Sequence, residues 1–216
     1  MYSDPEEIKA KHKGDIRTLW NIYQSDGKFY KNFFFKVSII LSVLFIVSLC
    51  FSMTSAYDII QKVVEVAFGI LPSMLGFNLG AYVLIVGFGG TEILSKITKP
   101  LKGQNNYSFY QKLNGVMGVS VLVQISALLS SFFIRIWDKL QDGIIWKPSC
   151  TALVFVEKSI NVSALFFMTF LVTYSILILV SVIKHVFMFS QTIHFFTYTN
   201  RIADDQKKDQ STKTNS

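Results

Sequence analysis

The sequence predicts an all-α integral membrane protein with four transmembrane helices and short interfacial helices at the cytoplasmic face. Three observations carry this. Of 216 residues, 51% are hydrophobic and only 16% are charged, too few charges to clothe a soluble domain of this length. Asp, Glu, Lys, Arg and His are absent from Val37 to Tyr57, Val66 to Thr91, Leu113 to Ile134 and Ser159 to Ile183. Each run can cross a bilayer, since about 20 apolar residues rising about 1.5 Å apiece traverse a hydrocarbon core of roughly 30 Å. Sixteen of the 21 Lys and Arg residues fall on one side of the four runs, which assigns both termini to the cytoplasm of a multi-pass membrane protein.

Residues 1–32 form a charged cytoplasmic segment in which IRTLWNIY has the pattern of a short amphipathic helix lying on the membrane surface. The first apolar run begins beyond a long charged stretch and lacks a small-residue cleavage pattern, so it is expected to remain as a signal-anchor. A transmembrane domain over 33–191 follows, with spans at about 35–57, 64–91, 114–136 and 159–183. Spans one and two form a tight hairpin. KITKPLKGQNN, broken at Pro100 and Gly103, turns between spans two and three. The outer loop, RIWDKLQDGIIWKPSCTALVFVEK, is apolar for a solvated loop, and TALVFV is expected to dip into the interface or pack on helix ends. Trp137, Trp146 and Tyr57 suit an interfacial aromatic belt. Residues 192–216 comprise the end of an aromatic interfacial helix and a polar tail, ADDQKKDQSTKTNS, whose composition predicts disorder.

Span two contains GILPSMLGFNLGAYVLIVGFGG, a charge-free stretch with six glycines, a proline and an asparagine. At 100° per residue, Gly69, Ser73, Gly76, Gly80 and Gly87 fall within roughly a 60° arc of one helix face. Such small-residue faces let helix backbones approach closely in lipid, predicting a helix-packing or oligomer interface. Pro72 lacks an N–H and crowds the carbonyl of Phe68, predicting a kink. Asn78 lies about 180° from the glycine arc, so span two is expected to meet partners on two sides.

Uncharged polar residues form lines on the other spans: Ser120, Gln124, Ala127 and Ser131 on span three, Ser38, Ser42 and Ser52 on span one, and Thr169 and Thr173 on span four. Hydrogen bonds between helices are one reading, and a hydrated path lined by Asn78, Gln124 and the serines of a multimer is the other. No ionisable residue lies at mid-span, which counts against a coupled transporter or proton relay. Asp58, Lys62 and Glu65 lie at i, i+4 and i+7 and can pair along a solvated helix end.

The cytoplasmic basic patch of Lys96, Lys99, Lys102 and Lys112 fits topology and anionic lipid, so the bilayer is the expected partner and direct nucleic-acid binding is not expected. His12, His185 and His194 are scattered without ligand spacing, so no metal or other cofactor is expected. Cys50 and Cys150 both fall near the outer face, either as a disulfide or as two unrelated thiols. Asn161 to Ser163 matches a glycosylation acceptor pattern beside span four. No nucleophile with its base, phosphate loop or carboxylate pair is evident, so no enzyme is expected.

The segment LPSMLGFNLGAYVLIVGFG, Leu71 to Gly89, resembles a segment of small four-span bacterial inner-membrane proteins encoded in phage-defence operons, such as the membrane component of the Kiwa system. The resemblance implies an inner-membrane homo-oligomer that senses infection or envelope disturbance and acts with a soluble cytoplasmic partner protein. It carries over no catalytic residue. An oligomeric sensor or effector scaffold is therefore one expectation, and a channel-forming subunit is the alternative.

Overall fold

The computed structural model describes residues 14–27, 29–49, 51, 54–88, 97–98, 107–141 and 151–214. Among them the chain is almost entirely helical: α1 (Ile16–Tyr23), α2 (Phe33–Leu49), α3 (Ala56–Phe88), α4 (Phe109–Gln141) and α5 (Thr151–Thr214). Short 3-10 turns, Gln24–Asp26 and Phe29–Lys31, join α1 to α2. The long helices α3, α4 and α5 pack mutually, α2 packs on α5, and α1 packs on α4.

Three helices, α3, α4 and α5, are long and apolar enough to cross a membrane, while α2 is a shorter apolar helix of 17 residues. The charge-free run predicts a first span reaching residue 57. The charge-free run overshoots because SLCFSMTSAY contains no charge yet is rich in Ser and Thr, and the helix ends at Leu49. Ser48 O accepts from Phe51 N–H at 3.2 Å in the turn that follows. Ser55 Oγ accepts from Tyr57 N–H at 3.3 Å at the start of α3.

Helix ends elsewhere also differ from the charge-free runs. A charged residue near a span stops the run but not the helix, so α3 includes Asp58, Lys62 and Glu65, and α4 continues through Arg135, Asp138 and Lys139. The expected outer loop is correspondingly short: TALVFV is the first part of α5. At its other end α5 continues to Thr214, through the polar sequence whose composition had suggested a free tail.

Local chemistry sets the starts. Asp15 Oδ1 accepts from Thr18 N–H at 2.7 Å and caps α1. Asn32 Oδ1 does the same for Phe34 N–H at 3.0 Å before α2. Before α4, Ser108 and Gln111 form a reciprocal capping box, with Ser108 N–H on Gln111 Oε1 at 3.0 Å and Gln111 N–H on Ser108 Oγ at 3.1 Å.

The inward faces of the three long helices follow alternating steps of three and four. On α3 the stripe is Ile60, Val64, Ala67, Leu71, Met74, Asn78 and Ile85, with Ala81 partly buried between the last two. On α4 it is Leu113, Met117, Ser120, Gln124, Ala127 and Ser131, and on α5 it runs from Leu165 through Met168, Val172, Ser175 and Val182 to Phe189. This 3.5-residue repeat is the seam of a left-handed helix bundle. It also leaves many large apolar side chains exposed, such as Val83, Phe133 and Ile160, the side chains that hydrocarbon would cover.

Candidate functional site

The centre of the bundle holds a polar node. Asn78, Ser120 and Gln124 are all fully buried, and the Asn78 amide donates to Ser120 Oγ at 3.0 Å and to Gln124 Oε1 at 2.9 Å. Asn78 Oδ1 and Gln124 Nε2 have no hydrogen-bond partner. Turning both carboxamides over exchanges the roles but still leaves one oxygen and one NH2 unpaired, so the node is incompletely satisfied in either assignment.

The remaining polar lines do not join helices in this way. Ser38, Ser42, Ser131 and Ser175 each donate to a carbonyl one turn earlier in their own helix, at 2.7 to 2.8 Å. Thr169 Oγ1 is buried without a partner, and Thr173 is half-buried on the same helix. At the opposite end from Lys112, Tyr57 donates to Asp138 Oδ1 and Arg135 Nη1 donates to Gln61 Oε1 at 3.3 Å, tying α3 to α4.

The glycine face of α3 points away from all of this. Gly69, Ser73, Gly76, Gly80 and Gly87 are exposed, and a Cβ added at any of the four glycines would meet nothing within 4 Å. Close approach within the chain is therefore made elsewhere. A Cβ at Gly118 would lie 2.3 Å from Leu19 Cδ1, and one at Gly115 would lie 2.8 Å from Ile22 Cγ2. Pro72 is exposed on the same helix as the glycine face, and α3 continues helical through it.

Gly115 and Gly118 form a notch in α4 that receives α1. Ile22 meets Gly115 and Leu19 meets Gly118, so α1 runs antiparallel to the first turns of α4 instead of lying flat on a surface as its amphipathic pattern suggested. Its signal was readable: two glycines three residues apart face two apolar residues three residues apart. A hydrogen-bond chain holds the inner end of α1, from Asn32 Nδ2 to the Tyr23 hydroxyl at 2.9 Å and on to the Tyr174 hydroxyl at 3.1 Å. Tyr174 stacks on Phe170 at 5.8 Å, and Phe35 of α2 sets its edge against both rings.

Lys112 is not part of an open basic patch, since it is only 6% exposed at the start of α4. Lys96, Lys99 and Lys102 lie outside the described residues, as do Cys50, Ser52, Trp146 and Cys150. Among the described residues no group of three or more His, Cys, Asp or Glu side chains is placed to hold a metal ion.

Comparison of the chain with protein-family models, curated proteins and solved structures returned no match.

Proposed function

We propose that the chain is a non-enzymatic, four-span inner-membrane protein that assembles with copies of itself through the Gly69 to Gly87 face. In this reading it serves as a sensor or effector scaffold for a soluble cytoplasmic partner. The observation that carries it is the direction of the glycine face. It lies opposite the buried stripe of α3, and among the described residues nothing comes within 4 Å of a Cβ placed on its glycines. A bare backbone surface in lipid gains packing energy when another helix meets it.

The other parts of the reading have their own support. At 17 residues, α2 has the minimum length for a crossing, and an even number of crossings returns both termini to the side rich in Lys and Arg. Beside and beyond Phe196, which packs on the core, α5 exposes Phe195, Tyr198 and Ile202 at i, i+3 and i+7. That is the spacing of an amphipathic recognition face. The setting in phage defence comes from the resemblance of Leu71 to Gly89 alone. The channel alternative has less behind it, because Asn78, Ser120 and Gln124 bond to one another inside a single protomer.

The test is mass determination in mild detergent, with identification of copurifying proteins. An oligomer that Gly76→Leu and Gly80→Leu reduce to monomer, with membrane yield unchanged, is expected. Monomeric wild type, or variants that assemble normally, would sink the assembly reading. Reporter fusions at residue 1, Asp142 and Ser216 check topology separately, and a C-terminus on the side opposite residue 1 is incompatible with four spans.

A further inference from the structure

The spacing of Asp58, Lys62 and Glu65 allows pairing along one helix, yet among the described residues their side chains form no hydrogen bond or ion pair, and all three are exposed. The neighbouring charges at this end of the bundle are already engaged: Asp138 accepts from Tyr57, and Arg135 donates to Gln61. Tyr57 and Gln61 therefore mark the side of α3 turned to α4. At 100° per residue, Asp58, Lys62 and Glu65 fall instead on the arc of Gly69, Gly76, Gly80 and Gly87. The exposed glycine face carries an acid, a base and an acid at one end.

From Asp58 to Gly87 this face stays within about 80° of arc, so it runs along the helix instead of winding around it. A second α3 can lie beside it along its whole length. Copies inserted in one orientation are related by an axis along the membrane normal, so equal residues meet at equal depth. Lys62 is then about 4.5 Å in level from a neighbour's Glu65 and about 6 Å from its Asp58, both within reach of an ammonium on a four-carbon stem. Glu65 borders the charge-free run that begins at Val66, where water thins and an opposite charge gains strength.

We infer that the α3 helices of neighbouring copies pack side by side in parallel, with Lys62 of one copy between Asp58 and Glu65 of the next. The occupant of the face is the same face of a second copy, because the order acid, base, acid complements itself one step out of level. This rests on the assembly proposed for the glycine face and adds its direction, its register and an electrostatic component. A steep crossing at Gly76 and Gly80 is incompatible with it, since helices inclined at about 40° diverge by roughly 13 Å at the level of Glu65.

The test is oligomer mass of the full chain in mild detergent over a dilution series. Lys62→Glu leaves three acids on the face, and Asp58→Lys with Glu65→Lys leaves three bases. Each is expected to raise the concentration of half-assembly about tenfold. Coexpression of the two, each with its own affinity tag, is expected to restore mixed oligomers at the wild-type concentration. Disulfide formation in native membranes, with Cys50 and Cys150 replaced by Ser, gives a second measurement. Glu65→Cys and Gly80→Cys are both expected to link copies, whereas Phe68→Cys and Ile70→Cys, about 100° to either side of the arc's centre, are not. Links at Gly80→Cys without links at Glu65→Cys, or charge variants that assemble as wild type does, overturn the inference and leave assembly through the glycines standing. A monomeric wild type with no Gly80→Cys link overturns both.

Discussion

One amide nitrogen of Asn78 on α3 serves two acceptors on α4, Ser120 Oγ at 3.0 Å and Gln124 Oε1 at 2.9 Å. Removing Asn78 strands both acceptors. Asn78→Leu and Gln124→Leu are each expected to cost about 1–2 kcal/mol, and the double variant less than their sum, because it removes both unpaired ends together. Denaturation in mild detergent measures the cycle. Strict additivity would show that the amides are not coupled.

The two sets of glycines should behave differently. A Cβ at Gly115 would lie 3.5 Å from Ile22 Cβ, within the range of about 3.5–4.5 Å for a disulfide. With Cys50 and Cys150 replaced by Ser, Ile22→Cys with Gly115→Cys is expected to crosslink within one chain in native membranes. Adding Gly118→Leu, which drives Leu19 out of the notch, is expected to abolish the crosslink. Adding Gly76→Leu should leave it intact, and mobility on non-reducing gels reads all three.

Tyr23 holds two partners in the chain from Asn32 to Tyr174, so its hydroxyl should matter more than that of Tyr174. Tyr23→Phe is expected to lower stability by about 1–3 kcal/mol and Tyr174→Phe by about 0.5–1.5 kcal/mol. Tm values of the purified variants compare them. A larger effect from Tyr174→Phe would place the main bond elsewhere.

Membrane class was legible because charge is costly in hydrocarbon, and four uninterrupted runs are hard to produce otherwise. Helix ends were not, because charge and helicity are separate properties. Ser48 and Ser55 flank a break that no charge marks, while Glu65 and Arg135 sit in helices that continue past them. Small-residue spacing likewise marks a surface that permits close approach without saying what approaches. Gly76 and Gly80 carry the familiar pattern and face outward, whereas Gly115 and Gly118 receive α1. The seam on α3 was readable from Ile60 to Ile85 by its alternating steps.

The exposed aromatics on the last part of α5 define a separable surface. Phe195→Ser with Tyr198→Ser is expected to abolish capture of the proposed soluble partner while leaving membrane yield and oligomer mass unaltered. Loss of assembly in this variant would instead identify the stripe as part of the contact between copies.

The 64 residues of α5 form one uninterrupted helix, about 96 Å long at 1.5 Å per residue. A rod of that kind works as a lever. Beyond Phe196, which packs against the core, the helix runs about 27 Å further to Thr214, so a tilt of about 5° at the bundle carries its tip about 2 Å sideways. Small angular changes at the bundle are thereby magnified into a displacement at the far end of the molecule.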